Sequence, residues 1–192
     1  LENALIPQGL LLGHDPWSRP IATVGGAIST NGMGYLAGKY GSMGQQVQGL
    51  EVVLGSGDVI QTPSVPKIAG PDLDNIFIGA EGAMGIITKA TLEAFPQPEV
   101  RSIHAFRFAS FAPGFTAVQE MYAIGLRPAM VDFAEEYPRE PLKQPEEGIT
   151  TLYLSFDGFK EEVAAQVDRG RKICLATGGE ELPFEEADTF WR

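Results

Sequence analysis

The chain has 192 residues, 44% of them apolar, a formal net charge of -11 and a single cysteine. That length supports one good core or two small ones, and the apolar fraction is that of an ordinary globular protein rather than a disordered one. An acidic balance without clustered Lys and Arg excludes nonspecific binding to a phosphate backbone, so no nucleic-acid partner is expected, and the lone Cys174 excludes an intrachain disulfide framework.

No apolar run approaches the roughly 18 to 20 residues that cross a bilayer, and the opening LENALIPQG lacks the basic and apolar regions of a signal peptide. The expectation is a soluble, cytoplasmic protein without a transmembrane segment. Leu1 to Leu12 carries apolar residues at helix-like spacing, broken by Pro7 and Gly9, and reads as the remnant of a helix that began earlier. His14-Asp15-Pro16-Trp17-Ser18-Arg19-Pro20 follows, where the Asp-Pro pair and the second proline favour an extended loop.

That loop delivers the chain to Ala22–Gly34, ATVGGAISTNGMG, whose four glycines and small residues leave bare backbone to face a ligand. Glycine removes the Cβ, permits positive φ and lets main-chain N–H groups approach a bound molecule. A second run, Gly79 to Ile87 (GAEGAMGII), lies further on, and the two runs imply one shared ligand. Between them, Leu50–Leu54 and Val59–Thr62 flank Gly55-Ser56-Gly57-Asp58 and predict a β-hairpin. Ser64 to Asp72 reads as a Pro/Gly loop, Leu73–Ile78 as a short apolar stretch, and Ile86–Phe95 as a strand.

Sixteen of the 23 glycines precede residue 99, and Pro96 and Pro98 mark a seam there, so the expected domains are 1–98 and 99–192. Beyond the seam, Ile103–Phe108 alternates, and Phe111, Phe115, Val118 and Tyr122 form the stripe of an amphipathic helix. Ala129–Ala134 and Thr150–Phe156 read as strands. A second helix places Phe159, Val163, Val167 and Cys174 on one stripe and stops at Gly178-Gly179. This order suggests a split βαβ, ferredoxin-like unit that lacks its last strand.

Catalytic candidates are sparse. His104 shares a face with Phe106 and Phe108 and reads as a satisfied core or interface histidine rather than a catalytic base; His14 has no second histidine at ligand spacing, so no metal site is expected. Cys174 reads as a buried hydrophobe, and Lys39 and Lys67 as surface lysines. The acidic cluster Glu180, Glu181, Glu185, Glu186 and Asp188 reads as a solvated face. Neither glycine run fits GxGxxG after a strand or GxxxxGK[ST], so dinucleotide-fold and P-loop readings fail.

The ordered series Asp15-Pro16-x-Ser18, Ala22-Thr23-Val24-Gly25-Gly26, Thr30-Asn31-x-x-Gly34, Tyr40-Gly41, Gly49-Leu50-Glu51-Val52-Val53-Leu54, Gly70-Pro71-Asp72-Leu73 and Gly79-x-Glu81-Gly82-x-x-Gly85-Ile86-Ile87-Thr88 closely resembles the FAD-linked oxidases of the vanillyl-alcohol oxidase type. Within that family it is similar to the branch of D-lactate dehydrogenase, glycolate oxidase, D-2-hydroxyglutarate dehydrogenase and alkylglycerone-phosphate synthase. The resemblance covers about residues 9 to 98; after that only the layout of the family's cap domain is shared. It implies an α+β fold: the second FAD-binding subdomain of this type (1–98), then part of a ferredoxin-like cap (99–192).

By that resemblance FAD is the cofactor. Thr23, Val24, Gly25 and Gly26, with Thr30 and Asn31, would run beside the ribityl, pyrophosphate and isoalloxazine portions, and the segment Glu81 to Ile87, with Gly82, Gly85 and the Ile86 and Ile87 backbone, would meet the adenosine end. Asp15, Pro16, Ser18 and Gly34 complete the expected cofactor-binding set. The resemblance further implies a first flavin subdomain before Leu1, and a cap that continues past Phe190-Trp191-Arg192. The implied reaction is oxidation of a 2-hydroxy acid by hydride transfer to flavin. Pro71 stands where many of the hydroxy-acid enzymes have tyrosine and is more like the synthase, so an alkylglycerone-phosphate synthase-like transferase and a fragment inactive on its own are the alternatives. The catalytic base, the substrate, the electron acceptor and any homo-oligomer are left open.

Overall fold

The computed structural model describes residues 1–63, 70–136 and 149–191, so Lys67 and most of the expected Ser64–Asp72 loop lie outside the described residues. The chain divides into two compact units, Leu1–Gln97 and Pro98–Arg192.

The first unit opens with α1 (Glu2–Leu5), a 3-10 turn over Ile6–Gln8 and β1 (Leu10–Leu11), so the helix-like spacing of the first twelve residues gives only one turn of α-helix. Pro7 and Gly9 account for this, since Gly9 turns the chain at φ +70° and ends the 3-10 turn. The first glycine run is not bare loop throughout. Val24–Ser29 forms α2, capped by Thr23, and Ala37–Tyr40 forms a single turn, α3.

Next comes an antiparallel sheet of β2 (Val47–Val53), β3 (Val59–Gln61) and β4 (Ile86–Leu92) in the order β3-β2-β4. The predicted hairpin is there: Val53 pairs with Val59 and the Leu54 N–H donates to the Asp58 carbonyl. A two-residue strand, β5 (Phe95–Pro96), returns to pair with β1. Val47, Leu50 and Val52 of β2 pack with Ile28 of α2, Met43 and Phe77 to make the core of this unit.

The second unit runs β6 (Val100–Phe108), α4 (Phe111–Ala123), β7 (Met130–Glu136), β8 (Ile149–Gly158), α5 (Lys160–Ala176), β9 (Glu180–Glu181) and α6 (Phe184–Trp191). Its sheet order is β7-β8-β6-β9, all antiparallel, which is the arrangement of a split βαβ, ferredoxin-like fold. The expected absence of a last strand is corrected: β9 is that strand, shortened to two residues, and it was hidden in the sequence because both residues are Glu.

Alternation in β6 and β8 sends Phe106, Phe108, Leu152, Leu154 and Phe156 to the core with α4 and α5, and Ile103, Ala105 and Tyr153 to the face where α6 contributes Ala187 and Phe190. The apolar stripe of α4 is rotated from the expected one. Gly114, Ala117 and Met121 are buried, while Phe111, Phe115 and Tyr122 are exposed. Gly114 sits under the ring of Phe133 because a Cβ there would strike it, so small residues set how closely the helix approaches. Helix α5 stops as predicted, with Gly178 at φ +89° and the Gly179 N–H donating to the Cys174 carbonyl.

Candidate functional site

The two glycine runs converge. The Gly79 N–H donates to the Ile28 carbonyl at 3.1 Å and the Glu81 N–H to the Ser29 carbonyl at 2.9 Å, so the second run is fastened to the C-terminal end of α2. Asn31 and Glu81 are the two non-glycine residues with positive φ among the described residues, at +47° and +50°. Such conformations persist only where the surroundings over-determine them, and here each lies in one of the two runs. Asn31 is held by its own side chain, whose Oδ1 accepts the Gly44 N–H at 3.0 Å.

At the other end of α2, the Thr23 hydroxyl accepts the Gly26 N–H at 3.0 Å. Geometry leaves the N–H groups of Val24 and Gly25, in the first helical turn, without an intrahelical acceptor. Gly25 and Gly26 differ sharply in their surroundings. A Cβ on Gly26 would come within 2.9 Å of the capping hydroxyl, whereas one on Gly25 would meet only the Ile87 carbonyl oxygen, at 3.7 Å. A Cβ at Gly25 would therefore make only ordinary contact, with Ile87 bringing β4 beside it.

Asp15, Pro16 and Ser18 lie in the loop that precedes this helix. The Asp15 carbonyl accepts from Tyr35, its carboxylate meets Arg19 at 3.0 Å, and the Ser18 carbonyl accepts from Ile21 and Ala22. Gly34 is required by that loop, since a Cβ there would lie 2.5 Å from the Asp15 nitrogen. The Thr30 hydroxyl donates back to the Gly26 carbonyl, and thus closes α2. Gly82 and Gly85 both take positive φ; at Gly85 a Cβ would also stand 2.7 Å from Val52 and 2.8 Å from the Val53 carbonyl, which makes glycine obligatory where β4 begins. Ile86, 70% exposed, and Met33 and Met84 leave apolar side chains outward around the runs.

A cavity of about 300 Å³ opens beside the α2 N-terminus, walled by Leu12, His14, Pro16, Arg19, Thr23 and Val24 among others. His14 is the member that sequence reasoning passed over. It is only 7% exposed, its Nδ1 has no hydrogen-bond partner, and burial lowers its pKa below the usual histidine value, against a smaller opposing pull from Asp15. Burial thus disfavours the protonated imidazole in the wall. Gly13 beside it is required by the fold, since a Cβ there would strike Tyr40, but a single glycine in the sequence does not announce a buried histidine.

The remaining candidates lie elsewhere. His104 is satisfied, with Nε2 2.9 Å from the Ser102 hydroxyl and Nδ1 3.4 Å from Glu181, whose other oxygen meets Arg171 at 2.6 Å. Cys174 is buried and its thiol is pushed up to about 12, chiefly by desolvation, which leaves it unreactive. Among the described residues no helix is long and apolar enough to cross a membrane.

Residues 1–63 match the profile of a FAD binding domain. An uncharacterised FAD-linked oxidoreductase of Escherichia coli K12, YgcU, is 38% identical over 132 residues, which is 68% of this chain and 27% of that protein. The glycolate oxidase subunit GlcD of Bacillus subtilis is 32% identical over 197 residues, 97% of this chain and 41% of its own length. The chain thus spans well under half the length of these curated relatives. A solved alkyldihydroxyacetonephosphate synthase superposes with a TM-score of 0.81 at 23% identity over 94% of this chain and 36% of that one, a likeness of fold. Taken together, these likenesses make the chain similar to part of the FAD-linked oxidoreductases, glycolate oxidase and D-lactate dehydrogenase among them, with the FAD binding match in residues 1–63.

Proposed function

We propose that this chain holds part of an FAD and belongs to an oxidoreductase that oxidises a 2-hydroxy acid. The observation that carries the reading is the convergence of the two glycine runs on α2, inside and beside the segment that matches a FAD binding domain. The residues fit the cofactor: a cavity of about 300 Å³ beside Thr23 and Val24 suits one portion of an extended dinucleotide. Val24 and Gly25 would offer backbone N–H groups, with Thr23 capping the turn. The loop of Asp15, Pro16 and Ser18, locked by Gly34, would form the wall. The segment Glu81 to Ile87, with its turns at Gly82 and Gly85, would meet the adenosine end along the Ile86 and Ile87 backbone. Thr30 and Asn31 would shape the cradle chiefly through the backbone, since the Thr30 hydroxyl closes α2 and the Asn31 amide oxygen holds Gly44.

When bound, FAD supplies the redox chemistry by accepting a hydride from the substrate carbon. This chain's residues bind and orient it; no base for the hydroxyl proton is assigned among them. Residues 99–192 would supply part of the substrate cap. A transferase reading of the synthase kind is favoured by Pro71 and by the synthase likeness of fold.

The test is a visible absorption spectrum of the purified protein, repeated on the supernatant after denaturation. Released flavin bands support the cofactor, and their bleaching on anaerobic addition of D-lactate or glycolate supports the oxidoreductase. Flavin that stays oxidised across a panel of 2-hydroxy acids turns the assignment to the transferase, and colourless protein that takes up no added FAD overturns the cofactor reading.

A further inference from the structure

Resting on the flavin reading above, we propose that His14 is a positioning residue for the bound cofactor, giving it a hydrogen bond through the imidazole Nδ1. Three observations converge on this ring. It lines the cavity at the α2 N-terminus together with Thr23 and Arg19. Its Nδ1 is buried and finds no hydrogen-bond partner. And position 32 leaves the ring its room: a Cβ there would lie 3.3 Å from the His14 Cε1, and glycine supplies none.

A buried polar atom left unmet is costly, and one on a residue that lines a cavity can be met by a bound molecule. Two of the cavity's other polar groups already have partners: the Arg19 guanidinium lies against the Asp15 and Glu2 carboxylates, and the Thr23 hydroxyl caps α2. A neutral imidazole can either donate or accept at Nδ1, which suits an uncharged hydroxyl or ring atom of the flavin and does not require a phosphate. Shut away from bulk water, such a bond fixes the orientation of what it touches.

The experiment compares FAD binding, by quenching of flavin fluorescence, in the wild-type protein and in His14→Phe and His14→Asn. Loss of the bond raises the Kd roughly tenfold in His14→Phe. Asparagine, which places an amide near the Nδ1 position, recovers part of it. Urea unfolding without flavin separates the roles, because a merely structural histidine would lower stability in His14→Phe and leave the Kd unchanged. Since the protein has two histidines, a second measurement needs no folded variant at position 14: the imidazole nitrogens of ¹⁵N-histidine-labelled protein, with His104→Gln for assignment, report on His14 alone. The expected result is a shift of its Nδ1 resonance on adding FAD. An unchanged resonance in protein that has bound FAD, or an unchanged Kd in His14→Phe, overturns this inference and leaves the flavin reading standing. Wild-type protein that binds no FAD overturns both.

Discussion

Gly25 and Gly26 are neighbours with different reasons for being glycine. At 26 a side chain would push out the Thr23 hydroxyl that caps α2, while at 25 its Cβ would make only ordinary contact with the Ile87 carbonyl. We expect Gly26→Val to destabilise the protein by about 1 kcal/mol or more through the lost cap, so that any loss of flavin is confounded. Gly25→Val should leave the urea midpoint within the small range of a surface change and still abolish flavin retention. Stoichiometric flavin in purified Gly25→Val would refute the cradle. The sequence showed both residues as bare backbone and could not separate them, because the difference rests on what lies across space. His14 has a pH consequence of the same local kind. Its pKa is lowered in the fold from the usual 6.5, so the unfolded chain binds more protons between the two values, and stability declines as pH falls below about 6.5 until the folded pKa is passed. In His14→Phe that component of the pH slope should disappear.

Among the elements, β6 and β8 show how much alternation alone can specify. Ile103–Phe108 and Thr150–Phe156 announced their strands, and the inward residues are those expected. What alternation could not supply was the ion pair between them. Arg101 faces Asp157 across the two strands, with Nε 2.9 and 3.0 Å from the two carboxylate oxygens and Nη2 2.6 Å from one, and the carboxylate is fully buried. Arg101 keeps part of its head in water, which discounts the pair. We expect Asp157→Ala to cost about 2–4 kcal/mol in urea unfolding, and the double variant with Arg101→Ala to cost less than the sum of the two singles. Additive costs would show that the pair contributes only packing. Helix α4 was legible as a helix but not in its orientation. A periodicity read on bulky apolar residues picks Phe111 and Phe115, whereas close approach to Phe133 and Phe108 selects Gly114 and Ala117.

At the scale of the whole molecule, each unit carries its own core, and the proline-marked seam coincides with the division between them. The second unit has both faces of its sheet covered, by α4 and α5 on one side and α6 on the other, and it includes its last strand. The polypeptide 98–192 expressed alone is therefore expected to fold, with a cooperative thermal transition followed by circular dichroism; a broad, non-cooperative melt would show that its core is insufficient. The first unit was harder to read, since its order depends on backbone contacts to which side-chain patterns are blind. The amides of Gly79 and Glu81 close on the last carbonyls of α2, and Thr30 closes on the carbonyl of Gly26. Neither glycine run can therefore fray while the other stays shut. The two ends of the cradle, some fifty residues apart in the chain, should breathe in step, and a ligand that quietens one end will slow hydrogen exchange at the other.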